Sequence, residues 1–333
     1  VANPLPRTDK SVVLTNCLAD LQSLLDNDPE GKILRWRNGN GSWRANRGSV
    51  LALMMHINMW LAFFDTGNAQ TYYSEVARLA EVDSWIDGTY YSLQSMEQMS
   101  NVFRGNSNEG LFEIVQNITM GEVFDTNNMW CTKVVYEVRN KTEADFAYSE
   151  AFLTHLYPEE TNDMRKEYWF KNLYREEGTG GSSSIRPVEI IKLLNADEYK
   201  STTIPNAGNY IVFRLADVIL LYAEALNNLG EREKALQEVN RIRQRAGAPD
   251  FTMEDDLDAS IYWERVRELM GEGQYYYDLV RTMKITDASF AVFSDDSGHR
   301  ETMANLKQGS WTWPIYKGAL DNNPYMSKNI YWE

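Results

Sequence analysis

Cysteine and histidine are scarce in this chain of 333 residues, which carries 2 Cys and 3 His. Cys17 and Cys131 lie too far apart in sequence to form the close pair of a metal-binding motif. A disulfide between them stays open, and two free, buried thiols are the simpler expectation. His56 falls within an apolar helical stretch and is expected as a hydrogen-bonded core residue rather than a base. Positive charge is also in deficit, with 33 Lys and Arg against 48 Asp and Glu, a net charge of −15. That argues against nucleic-acid binding, which depends on a positive face, and against electrostatic attachment to anionic lipid. No run of about 18 apolar residues is present to span a membrane, because residues 50–64 are interrupted by His56 and Asn58. No signal peptide precedes Val1, as expected of a processed or truncated protein.

Motifs of catalysis are missing as well. There is no G-x-S-x-G elbow, no H-E-x-x-H and no Walker A loop. The GTGGSSS run at residues 178–184 lacks the Lys and following helix of a phosphate cradle and reads as a solvated loop. DNDPEG at residues 26–31 imitates the start of a calcium loop, but Pro29 lies inside it and Arg37 stands where a bidentate Glu is required. No metal and no cofactor is expected.

What remains is a chain of ordinary globular composition, 43% hydrophobic and 24% charged, long enough for one large domain or two. It is rich in aromatics, with 10 Trp and 19 Tyr, more than a core alone requires, and surplus Trp and Tyr mark binding surfaces. Residues 210–245 show the clearest order. Leu215, Val218, Ile219, Tyr222 and Leu226 recur at helical spacing, with Ala216, Ala223 and Ala225 beside them to let another helix approach. Gly230 ends this helix, and a second carries Ala235, Leu236, Val239 and Ile242 inward until Gly247. The two form an αα-hairpin of tetratricopeptide type. A second pair is expected earlier, from residues 44–64 and 72–82, preceded by an amphipathic helix over residues 11–25 with Val13, Cys17, Leu21, Leu24 and Leu25 as its apolar set. Residues 119–205 lose helical periodicity, and residues 188–194 look like a strand.

Charged residues interrupt the apolar turns. Arg214, Asp217 and Glu224 lie among buried positions, where an unpaired charge is costly. Glu264, Arg265, Glu268 and Asp278 recur downstream on a helical pattern and are the expected partners in structural ion pairs. Glu264, Glu268 and Glu272 share a helical face, and ion pairing with Arg214 and its neighbours explains them better than catalysis does.

FRLADVILLYAEALN, then ALQEVNRIRQRAG, then ERVRELMGEGQYYYDLVR, in this order and spacing, resemble the C-terminal half of the SusD/RagB family. NDMR at residues 162–165 and the Trp-Pro-Ile tail at residues 312–332 resemble it too, while Gln274 stands where the family usually has Arg. The resemblance implies a mostly α-helical fold of tetratricopeptide-like helix pairs, an α-α superhelix carrying an irregular, partly β insert. The expected division is a helical part over residues 1–118, a ligand-facing insert over 119–208 and a helical core with its tail over 209–333. The resemblance also implies a non-catalytic, lipid-anchored protein on the outer face of the outer membrane of Bacteroidetes-type bacteria. Such a protein captures a glycan, or in RagB-like members a peptide, and delivers it to a SusC-like TonB-dependent transporter. A tetratricopeptide scaffold for protein contacts explains the helices but not the ERVRELMGEG block, and a glycoside hydrolase needs two carboxyls placed across a cleft.

Sugar rings stack their C–H faces on Trp and Tyr while Asn and Arg hydrogen-bond the hydroxyls. Three places mix these types: Trp130 with Asn127 and Asn128, Trp169 with Tyr168 and Arg165, and the loop at residues 35–43 with Trp36 and Trp43. These are the candidate ligand residues.

Overall fold

A computed structural model of the chain describes residues 5–36, 42–115, 148–174, 188–193, 208–291 and 301–333. The described residues are mostly helical. Three helices open the fold, α1 (Lys10–Asp26), α2 (Arg47–Phe64) and α3 (Ala69–Glu81), and α4 (Met99–Arg104) leads to strand β1 (Gly110–Ile114). Short elements follow: α5 (Glu150–Leu156), α6 (Arg165–Trp169), β2 (Phe170–Lys171) and β3 (Glu189–Ile190). Strand β4 (Tyr210–Arg214) runs directly into α7 (Leu215–Asn228), and then come α8 (Arg232–Arg245), α9 (Leu257–Glu268), α10 (Tyr275–Arg281), α11 (Met303–Gln308) and α12 (Lys317–Asp321).

Helix α7 is apolar on nearly every side, which is what a helix surrounded by others requires. It packs against α2, α3, α8 and α9, and its residues from Leu215 to Leu226 are buried. Ala216, Ala223 and Ala225 have no exposed surface. At its end Gly230 adopts φ +83°, its amide bonds Asn227 O, and the Glu231 amide bonds Leu226 O. This is the Schellman arrangement, and it turns the chain into α8. Helix α2 begins at a capping box in which Asn46 and Ser49 satisfy each other's amides. It is long and apolar enough to cross a membrane by composition, but two-thirds of it is buried inside the fold, with His56 Nε2 2.7 Å from the Asp217 carboxylate.

Several expectations are corrected here. Helix α1 packs on α2 through Leu18, Leu21 and Leu25, and this leaves Val13, Cys17 and Leu24 exposed. Cys17 is therefore not a buried thiol. The strand expected over residues 188–194 is only the two-residue β3, paired with β2. Residues 210–214, grouped on sequence with the helical hairpin, form β4, whose YIVFR is rich in β-branched and aromatic residues and which pairs antiparallel with β1 through Gly110–Arg214 and Ile114–Tyr210. Asp28, read as an acid of a failed calcium loop, accepts the backbone amides of Lys32, Ile33 and Leu34 and closes a turn.

Two hydrophobic clusters fill the fold, one around α2, α3, α7 and α8, the other around α4, α5, α6, α9 and α10. Described stretches of the insert, through Phe152, Trp169, Phe170 and Ile190, belong to the second cluster. A buried ionic network joins the two. Glu268 Oε1 accepts Arg214 Nη1 at 2.7 Å and also Arg245, and its Oε2 accepts Arg165 at 3.2 Å. Arg214 also meets Glu109 at 2.7 Å and Glu272 at 2.6 Å, while Lys192 Nζ bonds the Glu268 and Met270 carbonyls and Glu272. Glu264 is held by Arg165 and Arg243, both at 2.7 Å. A second group pairs Arg265 with Asp217 and Asp278, and Arg281 with Glu224 and Asp278.

Burial by itself raises the Glu268 carboxyl, but Arg245, Arg214, Arg165 and Lys192 outweigh it and hold it well below the carboxylate range. Glu264 and Asp217 are lowered against burial in the same way, by Arg165 and by His56 and Arg265 respectively. Folded values below the unfolded ones mean that the unfolded chain binds more protons in acid. The contribution is full above the ordinary carboxyl values of 3.8 and 4.5 and is lost as pH falls through the folded values. Urea midpoints taken at successive pH values are therefore expected to drop below about pH 4.5. Glu268→Gln leaves buried cations unmatched and should cost about 3–5 kcal/mol in the same assay. Glu231→Gln, from an exposed pair with Lys234, should move the midpoint little. The exposed Cys17 thiol should react with a thiol reagent in the folded protein, without denaturant.

Candidate functional site

Of the residues singled out by sequence, the described ones offer no common ligand-facing surface. Trp130, Asn127 and Asn128 lie outside the described residues. Trp169 is 1% exposed and Arg165 0%, so neither can touch a ligand in solvent. Arg165 forks onto Asp163 and reaches Glu264 and Glu268, which makes NDMR a piece of the ionic network. Trp36 is half-buried and already packed by other groups: Tyr90 stacks on it at 4.5 Å, Trp85 lies at 6.1 Å and the Arg47 guanidinium at 5.5 Å. Of the described candidates, Trp43 and Tyr168 keep exposed rings, at 40% and 37%.

The structure gathers aromatics elsewhere. Helix α10 turns Leu279 and Val280 into the core, ties Asp278 to Arg265 and Arg281, and sets Tyr275 against Phe152 at 5.9 Å. With those positions committed inward, Tyr276 and Tyr277 face out. The segment after α11 lies across them. Trp311 stacks on Trp60 of α2 at 5.5 Å, and its carbonyl accepts the Tyr276 hydroxyl at 2.9 Å. Pro314 holds the preceding Trp313 out of helical conformation, and the Trp313 ring is 90% exposed. Trp332, near the chain's end, returns to bond Thr312 O through Nε1 at 2.9 Å.

These residues, with Tyr210, Gly273 and Ser310, line an open cleft of about 730 Å³. Its size and its mix of ring faces and polar edges suit a small ligand. The Tyr277 hydroxyl makes no hydrogen bond to the described residues, which leaves it for a ligand. The cleft can stack flat, weakly polar rings and hydrogen-bond their rims, and among the described residues no carboxylate lines it. Glu268, Glu264 and Asp217, whose carboxyls are lowered by facing cations, are buried in the network and away from this cleft. Among the described residues no three His, Cys, Asp or Glu side chains converge as metal ligands would.

Sequence reasoning passed over this cleft. QYYYDLV was absorbed into a helical pattern and WTWP into a packing tail. The available signal was the excess of aromatics over inward helical positions in residues 275–277, together with paired Trp residues ahead of a Pro.

Comparison with known proteins places the chain. Residues 59–332 match the model of the SusD family. The SusD-like protein P38 of Formosa agariphila is 35% identical over 133 residues, 37% of this chain and 24% of that protein. The aligned segment thus spans about a quarter of that curated relative's length. A solved SusD homologue from Bacteroides thetaiotaomicron is 45% identical with a TM-score of 0.87, over 99% of this chain and 70% of that one. The surface glycan-binding protein A of Bacteroides uniformis, at 18% identity and a TM-score of 0.66 over 98% and 68% of the two chains, shares the fold. By the family match over most of its length and by this likeness in fold, the chain belongs to the SusD family.

Proposed function

We propose that this chain is a non-catalytic glycan-binding protein, held at the outer face of the outer membrane by a lipid anchor. It captures oligosaccharide and passes it to a SusC-like TonB-dependent transporter. The observation that carries this is the aromatic cleft of Tyr276, Tyr277, Trp311, Trp313 and Trp332 on a chain of the SusD family. Ring faces that stay open beside hydroxyl and amide edges match the two-sided chemistry of a pyranose. Membership of the family, and a fold shared with a surface glycan-binding protein, favour capture without bond cleavage. The rigid helical body is suited to present such a site, because binding residues concentrate on irregular segments set by a scaffold. Residues 119–208 remain the proposed ligand-facing insert, with Tyr168 as an exposed ring among its described residues and Trp43 as a second outlying platform.

Affinity electrophoresis through gels containing single polysaccharides tests this reading, with chromatography of the medium for released sugars. Retardation by one polysaccharide with no product is expected. Trp313→Ala and Tyr277→Ala should abolish the retardation and leave thermal unfolding unchanged, since both rings are exposed. Trp169→Ala should behave in the opposite way, costing about 3–5 kcal/mol of stability because a buried ring leaves a cavity. Released oligosaccharide would contradict the non-catalytic part, and retention only by peptide-bearing gels would move the ligand class to peptides.

A further inference from the structure

A second opening, of about 720 Å³, shares Trp311 and Thr312 with the aromatic cleft. It lies between the start of α1, the end of α2, helix α11 and the tail. Among the described residues its lining includes Arg7, Lys10, Lys307 and Lys328 against a single carboxylate, Asp9. That carboxylate is already engaged, since it caps α1 by accepting the Ser11 amide at 2.8 Å.

The four cations are not engaged in this way. Among the described residues none of them forms an ion pair. Arg7 donates to the Ser327 carbonyl at 2.9 Å, and the Lys10 ammonium lies 4.7 Å from the Phe64 ring centroid. In a chain of net charge −15, whose described buried cations are matched by acids, four cations around one concavity, of which Lys10 alone has a carboxylate beside it in Asp9, form a local positive field that draws anions. The aromatic wall is continuous with it, since Trp311 and Phe64 lie 6.1 Å apart.

We propose that the cleft lined by Arg7, Lys10, Lys307 and Lys328 takes the anionic group of an acidic sugar, a uronate carboxylate or a sulfate ester. The ring of that sugar, or of its neighbour in the chain, stacks in the adjoining aromatic cleft. This deepens the glycan-binding reading and rests on it: the ligand is an anionic glycan, and the basic cleft selects it from neutral ones. Lys ammonium groups suit this work, because compact charges on flexible stems adapt to either anion.

Isothermal titration calorimetry on the whole chain separates the outcomes. The probes are an oligogalacturonate and a sulfated galactan oligosaccharide, each beside its neutral counterpart made by carboxyl reduction or desulfation. At least one acidic probe should bind, and its neutral counterpart should bind roughly tenfold more weakly or less, the scale of one lost charge-assisted hydrogen bond. The double variant Lys307→Gln/Lys328→Gln should lose about the same factor for the acidic probe. Its thermal unfolding should be unchanged because both side chains are exposed. Added salt should weaken acidic binding, since exposed charges are screened. Which probe binds distinguishes carboxylate from sulfate. Equal binding of acidic and neutral probes, or acidic binding indifferent to the double variant, overturns this inference and leaves glycan binding standing. No binding of any saccharide, acidic or neutral, overturns both.

Discussion

Glu268 has no exposed surface, yet it must carry a charge, because three arginines converge on its carboxylate and a lysine on its carbonyl. Removing an ion from water costs several kcal/mol, and only near-complete pairing recovers it. That constraint fixes the relative positions of four separate parts of the chain. Arg214 comes from the end of β4, Arg245 from the end of α8, Arg165 from α6 and Lys192 from just beyond β3. None of these elements can shift by a turn without stranding a charge. A network of this kind contributes definition of one arrangement more than net stability, and here it locks the insert to the helical core.

The aromatic cleft follows from the same arrangement. Asp278 is held by Arg265 of α9 and Arg281 by Glu224 of α7, so the rotation of α10 about its axis is set by ion pairs as well as by Leu279 and Val280. Once that face points inward, Tyr276 and Tyr277 have no choice but to face out. The tail then lays Trp311 against Trp60 and leaves Trp313 in solvent. Core charges thus orient a surface that contains none of them. The cations beside it are distinct in kind: they are exposed, outnumber the one carboxylate among them, and are gathered at the junction of the first helix and the tail.

Much of the fold was legible in local patterns. The stripe from Leu215 to Leu226, the small residues beside it and the turns at Gly230 and Gly247 specify α7 and α8 without reference to the rest of the chain. That Arg214, Asp217, Glu224, Glu264, Arg265, Glu268 and Asp278 needed partners was legible too, because charges in apolar turns have few alternatives. Which partner each one takes was not. Glu264 goes to Arg165 and Arg243 and not to Arg214, and Glu109, Lys192 and Arg245 enter from distant segments that no periodicity connects. The site was the least legible part. Trp169 and Trp313 look alike in sequence, yet one is 1% and the other 90% exposed, and burial is decided by packing between elements far apart in the chain. β4 was obscured for a related reason, since its partner β1 lies about a hundred residues away.

Hydrogen–deuterium exchange of the whole chain with and without a bound saccharide tests most directly whether the surface built around α10 and the tail is the site. New protection is expected in residues 275–277 and 310–313, with the ionic core equally protected in both states. Protection that leaves those residues untouched and appears instead around Trp43 or Tyr168 would contradict the account.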